Sequence, residues 1–438
     1  MALPTNILQQ VQTYQRSGLA LLQNYCGAIA TANTKFKDFN KIEANLGSSV
    51  TFDEPPRALT VQGLVASPQP SVQLVQTLTV DQSLNSALDF TSQQRIFNVE
   101  KPDADSYVRV FGRSIIAEIG STIEHSILKN ANSSVISEVS GSANTASGPF
   151  RMYGDGSTAI NSYQQLAQII ANFKDFGMPH NDIKVFLPSV HVPAIVGTGL
   201  GEFATNRNND IAQSWDVGTF GAPPVRYIQS NLLPRHTAGT VGSAGTVLTL
   251  VSTNDATGNN VTQLTFSGAG ASDADAVKAG DIFTFSDGVS GQPNQRFLTY
   301  IGHAPSAQKV QFRATADAAS TAGGQVTINI EPGLKWVSNN NAAIQITNAL
   351  AAGMKVTSIG DHICGLVVGG DSMFLAMPKL PGQEPFPTAN EYDEDTGVSI
   401  RLTYGALIGQ NQNLFVHDAV WGSFLHPVYS MRIAFPLA

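Results

Sequence analysis

The feature that most constrains the fold is one long amphipathic helix, which the sequence predicts over residues 102–130. Large apolar side chains recur there at every fourth position: Tyr107, Phe111, Ile115, Ile119, Ile123 and Ile127. Because an α-helix turns once in about 3.6 residues, a four-residue step drifts around the cylinder, so the apolar stripe winds around the helix. At about 1.5 Å per residue the helix would be roughly 40 Å long, the size of a small domain. It predicts a layered body in which one helix contacts different partners along its length.

An extended segment rich in proline precedes this helix, over residues 48–79. Its short alternating runs are separated by Pro55, Pro56, Pro68 and Pro70. Proline lacks the N–H that a central strand needs, which confines such strands to sheet edges or to arms. The segment therefore predicts a two-stranded loop that projects from the body. A long helix beside a projecting arm suits interlocking with neighbouring molecules, which catalysis does not require.

Charged residues are scarce: they make up 13% of the 438 residues, against about 25% in typical soluble domains. Small and uncharged polar residues replace them. Because surface charge keeps a free monomer soluble, this composition favours a protein whose surface is largely covered by copies of itself. An extracellular β protein, which can also be poor in Lys and Glu, is the alternative reading.

The charge balance and the cysteines narrow the function classes further. The net charge is −8 and no run of Lys or Arg occurs, which argues against tight or sequence-specific nucleic-acid binding. The same charge is compatible with a protein layer that surrounds nucleic acid without binding it tightly. Cys26 and Cys364 have no zinc-ligand spacing and predict a reducing compartment. Neither a signal peptide nor a membrane span is recognisable, so we expect a protein kept in the cytoplasm or carried out inside something larger.

The remainder of the chain predicts an α/β unit interrupted by an all-β region. A helix with Ser157 as its N-cap is predicted over residues 157–176, followed by strands at 183–187 and 225–228. Residues 237–330 contain six short β runs separated by turn residues, which predict a small barrel or sandwich inserted in the chain. Those runs are 246–251, 261–266, 282–285, 296–301, 310–313 and 326–330. Further strands follow residue 358.

No constellation of residues predicts catalysis, a cofactor or a metal. The glycine-rich stretch at 197–201 lacks the Lys and Ser/Thr of a phosphate loop and predicts an ordinary flexible loop. The acidic residues Glu391, Asp393, Glu394 and Asp395 lack a calcium-loop pattern and predict a solvated loop. None of the eight histidines lies in an HExxH pair, and GxSxG is absent. We therefore expect a protein that is not an enzyme.

Three stretches and the order of the elements resemble a known family. Lys278-Ala-Gly-Asp-Ile-Phe-Thr-Phe285 resembles a strand entry of coat proteins of the Salmonella podovirus type, which carry an inserted I-domain. The stretch Pro224-Val-Arg-Tyr-Ile-Gln-Ser-Asn-Leu-Leu-Pro234 is similar to the strand that leads into that insertion, and Leu414-Phe-Val-His417-Asp-Ala to a late strand. The chain is thus identified as resembling the major capsid (coat) proteins of tailed double-stranded-DNA bacteriophages, which share the Hong Kong 97 fold.

The resemblance implies an α+β fold with a defined order of parts. These are an N-terminal arm at 1–47, an E-loop at 48–82, and a P-domain at 83–149 with the spine helix at about 102–130. An A-domain follows at 150–235 and returns, with P-domain strands, at 359–438. The inserted barrel-like I-domain lies at 236–358. Gly112 and Gly120 depart from a good helix, because each lowers helix stability by about 1 kcal/mol relative to Ala.

The resemblance also implies the function and the partners. The protein is expected to assemble with itself into hexamers and pentamers of an icosahedral shell around double-stranded DNA, without sequence-specific binding or a membrane. A separate scaffolding protein, a portal protein and a decoration protein are the other partners, and the location is the virion capsid after assembly in the host cytoplasm. The expected contact residues between subunits are Phe52, Pro55, Arg57, Leu64, Arg109 and Arg113. The alternatives are a surface-array or adhesin-like protein and a cytosolic enzyme without a recognisable motif.

Overall fold

Two compact units divide the chain in the computed structural model. The first combines Met1–Phe52, Thr77–Leu128 and Met373–Phe424, and the second combines Asp53–Gln76, Lys129–Ser372 and Leu425–Ala438. The structure describes residues 27–34, 49–54, 74–91, 113–130, 149–177, 182–199, 225–300, 302–336, 345–370, 372–383, 386, 388–393, 398–407 and 412–437. Each unit is therefore assembled from segments that are far apart in sequence.

Helices and strands are mixed along the chain, which confirms the α+β class. The helices are α1 (Gly27–Thr31), α2 (Arg113–Asn130), α3 (Tyr163–Asp175), α4 (Val192–Gly199) and α5 (Thr240–Ser243). The first strands are β1 (Ser49–Glu54), β2 (Leu74–Thr79), β3 (Gln82–Thr91), β4 (Met152–Tyr153), β5 (Ile183–Pro188), β6 (Val225–Ser230) and β7 (Arg235–His236). Next come β8 (Leu248–Thr253), β9 (Val261–Ser267), β10 (Ile282–Phe285), β11 (Arg296–Leu298), β12 (Pro305–Lys309), β13 (Gln311–Ala314) and β14 (Gln325–Leu334). The last are β15 (Lys355–Ser358), β16 (His362–Gly369), β17 (Met373–Ala376), β18 (Thr388–Asp393), β19 (Val398–Leu407), β20 (Gln412–Leu425) and β21 (Ser430–Phe435).

The long helix of the first unit appears as α2, and its apolar stripe is buried as expected. Ile115, Ile119, Ile123 and Ile127 are all buried, and so are their neighbours Ile116 and Leu128. Residues 102–112, the N-terminal part of the predicted helix, lie outside the described residues. Glu124 is buried on the same helix and accepts a hydrogen bond from the N–H of Ala28 at 3.4 Å, which ties α1 to α2.

A five-stranded sheet accompanies α2 in the first unit, and within it β18–β19, β19–β20 and β20–β3 pair antiparallel. Its strand order is β17-β20-β19-β18, and β3 also pairs with β20. Trp421 on β20 is buried and donates from Nε1 to the Ser126 Oγ of α2 at 3.3 Å. β1 and β2 pair with each other in a separate two-stranded sheet.

The second unit is built on a six-stranded sheet with the order β4-β21-β16-β5-β6, to which β7 adds by pairing with β16. All eight residues of β16 are buried, as expected of a strand at the centre of a covered sheet. Of the helices, α3 begins at Ser162, whose side chain forms a capping box with Gln165. The prediction of Ser157 as N-cap is wrong, because its N–H instead donates to the Asp155 carboxylate in a turn.

A closed barrel lies between β7 and β16 in the sequence, which confirms the predicted small barrel, although the short helix α5 precedes its first strand. Its strand order is β10-β13-β14-β9-β8-β15. Phe312 lies at its centre, with ring centroids 6.0 Å from Phe266 and 5.4 Å from Phe283. The predicted run at 296–301 does not join the barrel: its described strand β11 pairs with β12, and β15 closes the barrel instead.

The barrel shares its hydrophobic core with residues that precede it in the chain. Phe150 and Phe176 belong to the same buried cluster as the barrel interior. Their rings lie 5.8 and 5.6 Å from Phe297, and the Tyr300 N–H donates to the Phe176 carbonyl at 2.8 Å. The barrel and the six-stranded sheet are therefore parts of one compact unit.

Candidate assembly surface

β3 is a ten-residue strand at the edge of the first unit's sheet. It pairs with β20 along its whole length, from Gln82 opposite Trp421 to Thr91 opposite Gln412. Among the strands that the structure describes, β20 is the only one with which β3 pairs. Among the described strands none covers the second edge of β3, and an uncovered edge of this kind is a template for pairing with another chain.

The described side chains of β3, at residues 82–87, do not block such pairing. Gln82, Ser83, Asn85 and Ala87 are exposed, so both faces of the strand reach solvent over its first half. Monomeric proteins blunt long edges with lysine, proline or covering elements. The sequence of β3 contains neither lysine nor proline, and Asp89 is its single charged residue. The strand thus has the properties of a site for β-augmentation, in which a further strand adds to a sheet edge.

The connection between β2 and β3 is held firmly against the sheet. Leu78 on β2 is buried with Ala376 and Phe424 in a small hydrophobic cluster. Gly422 on β20 makes this approach possible, since a Cβ at that position would lie 2.2 Å from the Thr79 carbonyl oxygen. The two-stranded sheet of β1 and β2 is therefore anchored at its β2 end.

Cross-strand pairs stiffen the sheet beside β3. Arg401 on β19 lies opposite Asp418 on β20, and its Nη2 and Nε donate to the same carboxylate oxygen at 2.8 and 3.1 Å. Its Nη1 also donates to the Pro381 carbonyl at 3.0 Å. Next to Asp418, burial lowers the pKa of His417 to about 4, so this imidazole is neutral at physiological pH. Such pairs fix the register of the strand that supports β3.

The second unit contains charged side chains that the sequence patterns do not reveal. Arg151, Arg313 and Arg432 are each at most 1% exposed. Arg151 lies 4.3 Å from the ring centroid of Phe176 and donates to the Val428 carbonyl at 3.0 Å, and burial lowers its pKa to about 9. Such arginines are rare in protein interiors and are held by carbonyls, aromatic faces and carboxylates when they occur.

Of the six predicted contact residues, two fall on described backbone. Phe52 lies in β1 and Arg113 is the first residue of α2. The side chains of both, and the whole of Pro55, Arg57, Leu64 and Arg109, lie outside the described residues. Their role as contact residues stays a prediction.

The segments considered for other chemistry are placed as follows. Gly197 lies within α4, so the glycine-rich stretch begins in a helix, and its residues from 200 onward fall outside the described part. The acidic stretch is not simply a loop, because Glu391 and Asp393 belong to β18 and pair with β19. Within the described residues, no group of three His, Cys, Asp or Glu side chains is placed to hold a metal ion. None of the described helices is both long and apolar enough to cross a membrane.

Comparisons with known proteins find resemblance at the level of structure alone. No protein-family model and no curated protein sequence matches the chain. A structure of Mycobacterium phage Che8 aligns over 92% of this chain and 90% of its own, with 10% identity and a TM-score of 0.40. The capsid of Ralstonia phage GP4 aligns over 91% and 86%, with 7% identity and a TM-score of 0.40. The capsid of Cyanophage P-SCSP1u aligns over 92% and 88%, with 11% identity and a TM-score of 0.38.

Proposed function

We propose that this chain is the major capsid protein of a tailed bacteriophage, which self-assembles into the icosahedral shell that encloses a double-stranded DNA genome. The observation that carries the proposal is the ten-residue β3 edge, which pairs with β20 on one side and with no other strand of the described part of the chain. The low charge of the chain supports the same function, since its surface is better suited to contact with other copies than to free solution.

The parts of the Hong Kong 97 fold are proposed on the basis of the element order. β1 and β2 belong to the E-loop, and α2 with the five-stranded sheet forms the P-domain. The six-stranded sheet with α3 and α4 is the A-domain, and the closed barrel is an I-domain of the Salmonella podovirus type. What supports this assignment is the position of the barrel between β7 and β16, two strands that pair directly with each other.

The proposed partners follow from that role. Copies of the chain associate as hexamers and pentamers, in which a strand or arm of one subunit adds to a sheet edge of the next. Many weak contacts across a closed shell then give a large collective stability. A separate scaffolding protein, a portal protein, the packaged DNA and a decoration protein complete the proposed set, with assembly in the host cytoplasm. We propose no catalytic activity.

Expression of the chain alone, followed by size-exclusion chromatography and negative-stain electron microscopy, tests the proposal. Closed shells, tubes or spirals of viral dimensions are the expected products. If the chain elutes as a monomer, co-expression with the scaffolding candidate from the same genome is expected to produce shells. A small discrete oligomer that never assembles, even with the scaffold, would contradict the proposal and favour an enzyme or a surface-array protein.

A further inference from the structure

The barrel and the six-stranded sheet meet at a junction of buried polar groups, which we call the polar junction. It consists of His236 on β7, His362 on β16, Arg432 on β21 and the barrel residues Gly280 and Asp281. Arg432 Nη1 donates to the Gly280 carbonyl at 2.9 Å. His236 Nε2 lies 2.7 Å from Asp281 Oδ1. Each of the four side chains is at most 9% exposed.

His362 is the member of the polar junction that is neutral and has one unprotonated ring nitrogen. Its Nδ1 lies 2.8 Å from the Gly360 carbonyl, which can only accept, so Nδ1 carries the hydrogen. Its Nε2 is therefore the bare nitrogen of a neutral imidazole. Within the described part of the chain, this buried Nε2 has no hydrogen-bond partner. A proton added there would create a charge with no acceptor beside it.

The charges around His362 make such a proton unfavourable. The His236 ring lies 5.2 Å from the His362 ring between centroids. Burial first, and then Arg432, lower the pKa of His362 to about 3.

The acidic groups on neighbouring elements are already engaged. Asp281 Oδ2 accepts from the N–H groups of Lys278 and Gly239 at 2.9 and 3.2 Å. Asp361 Oδ1 accepts from the Ala238 N–H at 2.8 Å, and Asp155 accepts from Thr158 at 2.7 Å. Of the remaining charged and titratable groups, Arg313 donates from Nη2 to Glu331 Oε2 at 2.9 Å, and burial raises the pKa of the Cys364 thiol to about 11.

We propose that the polar junction is an acid-sensitive latch: a proton taken up at His362 Nε2 opens the contacts by which β7, β16 and β21 hold the barrel. The proton places a cation on a buried ring with no acceptor at Nε2, and the positive charge of Arg432 opposes it. Opening relieves the repulsion, because it lets water reach both groups. The latch is independent of the capsid role and would operate in a free subunit as well as in a shell.

The direction of the pH dependence follows from linkage. An opened His362 titrates at its ordinary pKa of about 6.5, whereas the closed one has a pKa of about 3. Opening therefore takes up one proton between these values. The ratio of closed to open molecules is therefore highest above about pH 6.5. Below about pH 6.5 this ratio falls tenfold for each pH unit of acidification.

Cys364 provides the reporter for this opening. It is buried on β16, where its thiol is affected by both Arg432 and the His236 backbone. The full chain with Cys26→Ser is labelled with 4,4′-dithiodipyridine between pH 7 and pH 4. The rate for free cysteine at the same pH is divided by each measured rate, which gives a protection factor. We expect the protection factor of the parent to fall as the pH decreases. A plot of its logarithm against pH should have a slope lower by one in His362→Asn, because that variant cannot take up the proton.

His362→Asn is chosen because its amide can keep the hydrogen bond to Gly360 but cannot take up a proton. His125→Asn, which changes an exposed histidine on α2, is the matched control and should keep the slope of the parent. Equal slopes in His362→Asn and His125→Asn would overturn the latch. So would a parent protein whose protection does not change from pH 7 to pH 4, a result that needs no variant. Far-ultraviolet circular dichroism separates opening from unfolding: protection lost only together with the dichroism signal would also refute the latch.

Discussion

Two lysines placed on β3 should greatly raise the protein concentration needed for assembly while leaving the subunit folded. Ser83 and Ala87 are exposed and lie on the same face of the strand, opposite Val420 and Val416 of β20. A ten-residue antiparallel pairing offers up to about ten backbone hydrogen bonds, worth on the order of 1 kcal/mol each. A second strand cannot pack over Ser83→Lys/Ala87→Lys without removing water from two ammonium groups.

The size of the effect can be worked out from that loss of hydration. Covering a polar group without a partner costs about 1–2 kcal/mol at a partly wet contact, so two lysines weaken each pairing by about 2–4 kcal/mol. Since about 1.4 kcal/mol corresponds to a factor of ten, the concentration needed for assembly should rise roughly 30- to 700-fold. Substitutions at exposed positions change the free energy of unfolding by about 0.5 kcal/mol or less, so the subunit should stay folded.

The assay is light scattering and negative-stain microscopy over a series of protein concentrations, under conditions in which the wild-type chain forms particles. Gln164→Lys/Ala171→Lys is the matched control, because it adds the same charge at two exposed positions of α3. If the β3 variant assembles at the same concentration as this control, while both unfold at the same denaturant concentration, the edge of β3 is not an assembly contact.

Three further predictions concern the loop, the barrel and the pH range. Arg57→Glu should impair assembly with an unchanged monomer, and normal particles seen by microscopy would remove Arg57 from the proposed contacts. Phe312→Ala should lower the free energy of unfolding by about 3–5 kcal/mol in urea, because the ring lies at the centre of the barrel, whereas Val251→Ala at its exposed surface should change it by about 0.5 kcal/mol or less. Burial lowers the pKa values of His417 and His426 to about 4 and that of His362 to about 3, so unfolding takes up protons below about pH 6.5. Urea midpoints should therefore be highest above pH 6.5 and fall towards pH 4, and midpoints that stay level over this range would show that these histidines are not buried in neutral form.

The elements that the sequence predicts well are those whose pattern is decided locally. The run at 282–285 coincides with β10 because consecutive apolar residues between turn signals leave few other readings. The α3 helix was harder to delimit: Ser157 and Ser162 are both suitable N-caps, and only Gln165, three residues after Ser162, distinguishes them through the capping box. A short apolar run such as 296–301 cannot reveal its partner, because the pairing that excludes β11 from the barrel is a tertiary property.

The polar junction could not be predicted for a related reason. Sequence patterns treat Arg and His as surface residues, and nothing adjacent in the chain indicates that Arg432, His236 and Asp281 meet. They are brought together by strand pairings that join positions more than a hundred residues apart, such as His236 opposite His362. The β3 edge is not predictable from the sequence either, because whether a strand lies at an edge depends on which strands pair in the fold, and the pattern of residues 82–91 carries no information on that pairing.

Two aromatic rings of the barrel's hydrophobic core come from residues that precede the barrel in the chain, and this limits how freely the barrel could be transferred between proteins. A fragment cut at residues 237–358 would lack Phe150 and Phe176, which pack on Phe297 inside the shared cluster. Transferred alone, this fragment would expose the apolar surface that those two rings cover, and it would tend to associate through that surface. A fragment that also includes residues 149–177 would keep both rings and so keep this surface covered. The segment that can be exchanged between proteins is therefore larger than the barrel itself.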